Sequence, residues 1–413
     1  MSSPTTASAL ESPSRAHRLW EVLWLFLKIG TTGFGGPAVT IAMMEHEVVT
    51  RRNWLTEERF LDLMSFTNLI PGPNAAEIAI HVGLLRAGWL GLILAGVGFI
   101  VPAALTSAAF AWAYVRFGTL PQAVPLLEGI KPAVLSLIVA AIWRLGKTAV
   151  KAWKPALVGL VALSASLLGV NEILLLLVGG LLGAAWLRYP DLLRWLRGGN
   201  RSGQMGLFGV GFGLAGRATA LIGGSIQALG RLLEAAVAPP VWDIFWFFFL
   251  RVGAVLYGSG YVLVALLQRG LVVDLHWLSQ GQLLDAIAVG QFTPGPLLST
   301  ASFIGYVLRG VPGAVAATTG IFLPSFIFVA FLSGLLSRLR RSPWARAFLD
   351  SVNVCSLGLM AAVAIKLGVS SLRSWPAMVI ALMAGLLALR WKLNSAWIVL
   401  AGAAAGWLFT LLA

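Results

Sequence analysis

The sequence predicts an all-α integral membrane protein of two inverted-topology repeats. Each repeat has about six helices, with Gly/Pro-broken helices or re-entrant half-helices, giving about 12–13 membrane segments in total. Three observations lead there. The chain is 58% hydrophobic and only 11% charged, with a mean hydropathy of +0.86, far outside the soluble range. Apolar runs at 89–115, 124–143, 311–336 and 396–413 can each cross about 30 Å of hydrocarbon as a helix, while the alternation of a β-barrel is missing. Finally, the stretch 28–86 returns without a gap at 251–309. Lys28-Ile29-Gly30 matches Arg251-Val252-Gly253, Trp54 matches Trp277, Asp62 matches Asp285, Pro71-Gly72-Pro73 matches Pro294-Gly295-Pro296, and Arg86 matches Arg309.

Taken in order, residues 1–17 are rich in Ser, Thr and Pro and lack the apolar core and cleavage site of a signal peptide, so they read as a short disordered cytoplasmic tail. The first repeat occupies 18–187. It opens on two long apolar segments, 20–48 interrupted at Gly33-Phe34-Gly35-Gly36-Pro37 and 60–86 interrupted at Pro71-Gly72-Pro73. Proline removes a donor and clashes with the preceding turn, and glycine permits a sharp bend. Unwound backbone at membrane depth survives only inside protein or beside water. Both broken spanning helices and paired re-entrant half-helices satisfy that condition.

The connector, 188–240, is basic and Gly-rich. Its part 204–230 is apolar enough for one crossing, although Arg217 weakens it. The second repeat, 241–413, continues the correspondence: Gly98 and Pro102 match Gly320 and Pro324, Leu127-Glu128 matches Leu349-Asp350, and Asn171 matches Asn394.

Loop charge sets the orientation. In the first repeat the loop at 116–124 is nearly uncharged, and the next carries Arg144, Lys147, Lys151 and Lys154. In the second repeat the bias flips to Arg338, Arg340, Arg341 and Arg346, followed by only Lys366 and Arg373. Placing each basic loop in the cytoplasm turns the repeats upside down relative to one another. With the N-terminus inside, a crossing connector gives about thirteen crossings and a cytoplasmic linker about twelve.

Paired interruptions in two halves point to a transport site. A half-helix starting at mid-depth exposes unpaired N–H groups and the positive end of its dipole, which suits an anion. Four such breaks converge if the halves face each other. The candidate substrate-binding residues are therefore Phe34, Gly35, Gly36, Pro37, Asn68, Pro71, Gly72, Pro73 and Asn74 in the first repeat. The candidates at and beside the second repeat's breaks are Tyr257, Gly258, Ser259, Gln291, Thr293, Pro294, Gly295, Pro296 and Ser299.

Lys28 and Arg251 add matched cations, either for the substrate or, alternatively, snorkelling or paired with a carboxylate. Asn74 and Ser299 suit either anion donation or helix capping. Glu77 beside an anion site repels the substrate when ionised. That makes it a proton-coupling candidate with His81 one turn on, the alternative being an ion pair with Lys28 or Arg86. Glu128 and Asp350 are matched coupling candidates too, although Glu128 with Lys131 reads first as a local helix pair.

These residues resemble a known family. Phe34-Gly35-Gly36-Pro37, Trp54, and Leu69-Ile70-Pro71-Gly72-Pro73-Asn74 with Glu77 and Gly83 look like the chromate ion transporter family in its long, two-domain form. Gln291-Phe292-Thr293-Pro294-Gly295-Pro296 and Phe303-Ile304-Gly305-Tyr306 resemble its C-terminal pattern. The resemblance implies chromate efflux across the bacterial inner membrane, driven by the proton motive force and conferring chromate resistance, with sulfate as a related anion. Two departures stand out. Asn68 replaces a Gln common in relatives, and Gly260 replaces the Pro of the first-repeat motif. The second suggests unequal roles, with substrate contacts in the first half.

Other classes fit poorly. The net charge of +14 follows positive-inside loops rather than nucleic acid. Cys355 is the only cysteine, His17, His46, His81 and His276 are scattered, and no phosphate-binding loop precedes a soluble domain. Neither catalysis, a metal nor a cofactor is expected. The expected partners are chromate, with sulfate as competitor, and the lipid bilayer; a homodimer and an anion channel stay open.

Overall fold

The computed structural model describes residues 14–68, 70–150, 152–188, 241–257, 260, 262–333, 342–391 and 393–412. The connector's proposed crossing, Gly258 and Ser259, and the basic residues Lys151, Arg338, Arg340, Arg341 and Lys392 lie outside them. The first half holds α1 (Arg15–Thr32), α2 (Pro37–Glu45, running into a π turn His46–Arg51), α3 (Glu57–Thr67), α4 (Asn74–Phe117), α5 (Val124–Ala149), α6 (Trp153–Leu167) and α7 (Glu172–Leu187). The second holds α8 (Val241–Val255), α9 (Val262–Leu267, running into a π turn Gln268–Asp274), α10 (Gln280–Phe292), α11 (Thr300–Leu332), α12 (Pro343–Ser371), α13 (Trp375–Arg390) and α14 (Ser395–Leu412). Five helical stretches among the described residues are long and apolar enough to cross a membrane. Large apolar side chains such as Trp20, Trp89, Trp143 and Trp397 stand exposed around them, as in a lipid-facing, multi-pass protein.

α1 starts earlier than the composition of the N-terminus suggests. Ser14 accepts from the His17 N–H at 3.3 Å, and that cap outweighs the Ser/Pro-rich context.

The interrupted segments are re-entrant. Lys28 Nζ meets Glu47 Oε1 at 2.7 Å, whereas a continuous helix would hold them about 28 Å apart. α2 therefore returns beside α1. α3 and the first arm of α4 make a second such pair: Arg86, at the end of that arm, lies 4.8 Å over the ring of Trp54, just before α3 begins. Both pairs enter and leave at one face, where Arg86 also bonds Glu21 at 2.9 Å.

α4 then doubles back at Ala87-Gly88, with Gly88 at φ +69. Its arms touch through Gly83 and Gly91, where a methyl on either would overlap the other's carbonyl. α11 repeats the device at Arg309-Gly310, through Gly305 and Gly313. The long arms of α4 and α11 run antiparallel. Gly96 packs on Phe326 near the start of one and the end of the other. Farther along α4, Phe110 meets Phe292 at 5.5 Å and Tyr114 meets Phe303 at 5.4 Å.

Around this core α5 packs on α12, α13 and α14, and α12 packs on α6 and α7. Small residues let the backbones approach, as at Gly129 with Gly402 and Gly406 and at Gly159 with Gly358. The two halves are packed unequally. α10 rests on α5, α11 and α14, and α9 on α12; α3 packs on α4 and has no comparable seat on α12 or α7. All six residues of α9 are buried, against Thr40 and Met44 alone in α2.

Candidate functional site

Each Pro-Gly-Pro contains one N–H, that of its glycine, because proline has none. In both copies that donor crosses to the other half. Gly72 N–H donates to the Leu256 carbonyl at 2.6 Å, and Gly295 N–H to the Gly33 carbonyl at 3.1 Å. The first break of each half thus meets the second break of the other. Gly30 packs on Phe99, partway along the long arm of α4, so this junction lies deep between the faces. Pro71, Gly72, Pro73, Pro294, Gly295 and Pro296 are all buried.

On the first-half side the junction is accessible and polar. Phe34 is 43% exposed. Gly35 and Gly36 hold φ +111 and +84, and α2 starts on Gly36 and Pro37 without a side-chain cap. The side-chain amide nitrogen of Asn394 sits 3.3 Å from where a Gly35 Cβ would be, while its Oδ1 caps α14 through Ala396 N–H at 3.1 Å. Asn74 Nδ2 donates to Asn68 Oδ1 at 2.6 Å instead of capping α4. Asn394 and the uncapped start of α2 form a donor set suited to an oxyanion beside Gly35, and the Asn68–Asn74 pair offers amides at Pro71-Gly72-Pro73.

The second-half side is sealed. Gln291, Thr293 and Ser299 are buried. Thr293 and Ser299 share a hydrogen bond of 3.2 Å between their hydroxyls, and Ser395 bonds the Gln291 carbonyl at 3.3 Å. Tyr257 is half-buried.

Glu77 is wholly buried, and neither of its carboxylate oxygens has a partner among the described residues. Its suggested cations are engaged elsewhere: Lys28 with Glu47, Arg86 with Glu21. His81 packs edge-on against Phe66 at 5.1 Å. Glu128 is exposed and paired with Lys131, and Asp350 is exposed on α12; neither joins the breaks. Arg251 is also exposed, beside Asn171, Glu172 and Arg269. A cavity of about 350 Å³ between α4, α5, α10 and α14 is lined almost wholly by apolar side chains, with Asp285 as a lining carboxylate. It suits no dianion.

Lys28 belongs to a rim cluster in which Glu47 meets Lys28, Arg51 and Arg52. Burial opposes the charge on Glu47, but the three cations overcome it and hold its carboxyl at about 2. Depression means the cluster is intact above the ordinary carboxylate range and loosens only as pH falls toward 2. Lys28→Ala is therefore expected to lower the thermal midpoint while changing chromate affinity less than roughly threefold, since Arg51 and Arg52 still neutralise Glu47. Thermal unfolding together with chromate binding checks both halves of that expectation.

Asn394 and Ser325 escaped the sequence reading. Asn394 was visible as the twin of Asn171, which caps α7 through Ile173 and Leu174. Nothing in sequence brings it over Gly35. Ser325 follows the matched Pro324, where the first half has Ala103.

A sequence profile described as Chromate transporter matches residues 20–184 and 242–407. The chromate transport protein of Cupriavidus metallidurans is 32% identical over 97% of this chain and 95% of its own length. That of Pseudomonas aeruginosa is 32% identical over 93% and 90%. The probable chromate transport protein of Synechococcus elongatus is 29% identical over 92% and 91%. No solved structure matches the chain. With both Pro-Gly-Pro junctions in place and the match running through the two halves, the chain belongs to the chromate transporter family.

Proposed function

We propose that the protein is a secondary transporter that exports chromate across the bacterial inner membrane, driven by the proton motive force through alternating access. Family membership and the relatives' names support the substrate. The observation that carries the mechanism is the unequal packing of equivalent half-helices. α10 is seated among α5, α11 and α14, while α3 lacks the corresponding seat. Exchanging the two arrangements opens one face as it closes the other. The antiparallel course of α4 and α11 supports insertion of the halves in opposite senses, and the basic loops support a cytoplasmic N-terminus.

In this reading the oxyanion sits at the first-half junction. It is held by Asn394 and the start of α2, over the Gly35-Gly36 backbone, while Asn68 and Asn74 flank Pro71-Gly72-Pro73 at the other junction. Fixed N–H donors match a tetrahedral dianion better than an apolar pocket does. Glu77 carries the coupling proton. Sulfate offers the same shape and charge, so it is expected to compete.

Inside-out vesicles supplied with radiolabelled chromate test the proposal. They are expected to accumulate chromate when a proton gradient is imposed, and less when sulfate is in excess. An intact, folded protein that accumulates none overturns it.

A further inference from the structure

Three buried oxygens without a hydrogen-bond partner among the described residues gather at the first-half Pro-Gly-Pro: both carboxylate oxygens of Glu77 and the hydroxyl of Ser325. Glu77 comes from α4 and Ser325 from α11, and both are 0% exposed. Gly72 shows how close they are. A methyl there would overlap Glu77 Oε1 and lie 2.7 Å from Ser325 Oγ. The two side chains therefore face one small space that a glycine leaves open.

Charged and titratable neighbours do not fill it. His81 is one turn along α4, and Arg59 of α3 bears on His81. Tyr257, after α8, lies within electrostatic reach of Glu77. Lys28 and Arg86 are engaged with Glu47 and Glu21.

An ionised carboxylate buried without a partner is costly, and a lone buried hydroxyl adds to that cost. A small cation between them removes both costs. Glu77 and Ser325 both present oxygens to this space, a hard ligand set that suits a small cation better than a soft metal. The corresponding place in the second half is filled differently. Thr300, the twin of Glu77, bonds the Leu297 carbonyl at 2.8 Å, and Ala103 replaces Ser325.

We propose that Glu77 and Ser325 are the two walls of a binding site for one small, hard cation, a proton or a dehydrated sodium ion, at the seam between the halves. This deepens the transport reading and rests on it. The bound cation ties α4 to α11, so its arrival and release bear on how the halves are held together.

The test uses the purified full-length protein without chromate. One arm measures binding of radioactive sodium; the other follows the infrared band of a buried, protonated carboxyl group. Wild type is expected to show one of the two signals, which identifies the cation. Glu77→Gln abolishes it. Ser325→Ala weakens sodium binding about tenfold, or shifts the carboxyl band, and Ser325→Thr preserves the wild-type signal. Folded wild-type protein with neither signal overturns the proposal, as does Ser325→Ala behaving as wild type. Because chromate is absent, the outcome is separable from that of the vesicle experiment. Cation binding without chromate flux would sink the transport reading and leave this site standing.

Discussion

Replacing Gly72 with alanine is expected to abolish chromate transport, by at least about 100-fold, where a methyl at Gly88 costs far less. Gly72 holds φ +144, a conformation that L side chains rarely adopt, worth on the order of 1–3 kcal/mol in strain. Strain alone would be survivable. The added methyl must also occupy the space between Glu77 Oε1 and Ser325 Oγ, both wholly buried in a core that does not yield. Relief requires the Pro-Gly-Pro to move and its bond to Leu256 to break. At Gly88, outside the proposed site, φ is +69 but nothing lies within 4 Å of the new carbon, so the penalty is strain alone. Chromate flux in proteoliposomes, with size-exclusion profiles to establish folding, separates the pair. Equal activity of Gly72→Ala and Gly88→Ala would show that the small space is not used.

The second large effect concerns the unequal hairpins. Gly281, at the start of α10, lies beside the Lys131 side chain of α5, whose Nζ is 3.4 Å from where a Gly281 Cβ would be. In a Cys355→Ser background, cysteines at 281 and 131 joined by a cleavable bifunctional thiol reagent should hold α10 on α5. Transport is then expected to fall more than about tenfold and to recover on reductive cleavage, as for a lock on a required motion. The repeat offers a sharper arm. Glu58 and Asn353 are the corresponding positions on α3 and α12, helices without that packing here. Cysteines at 58 and 353 are expected to join only when substrate and gradient populate the opposite arrangement. Full transport by the 281–131 linked protein would rule out alternation of this kind.

Much of this architecture was legible beforehand, for identifiable reasons. The all-α membrane class follows from composition. The breaks at Gly33–Pro37 and Pro71–Pro73 announce themselves because proline and glycine act through the local backbone. Whether those segments cross or return was not legible, because both satisfy the same backbone constraint. The Lys28–Glu47 pair decides it, and a pairing between separate segments has no local signature. The same limit explains Lys28 itself: its match across the repeats allows either a substrate cation or a partner for a carboxylate, and only the fold shows its side chain on Glu47. Asn394 and Ser325 were hidden because each acts on a glycine far away in the sequence. Glu77 stands out in the sequence as a carboxylate beside the first Pro-Gly-Pro, and the fold adds that none of the described cations bonds it.

The bonds from Gly72 to Leu256 and from Gly295 to Gly33 have a consequence for how the molecule comes into being. On the ribosome, the first Pro-Gly-Pro is made on the order of 10–40 s before its partner carbonyl exists, at 5–20 residues per second. Until then the nascent first half holds an unfinished junction inside the bilayer, where an unmatched N–H has no water to turn to. The junction between the halves is thus among the last places to be completed in biogenesis. Chains halted before Leu256 should be preferred targets for membrane quality control, and a separately supplied second half should rescue them.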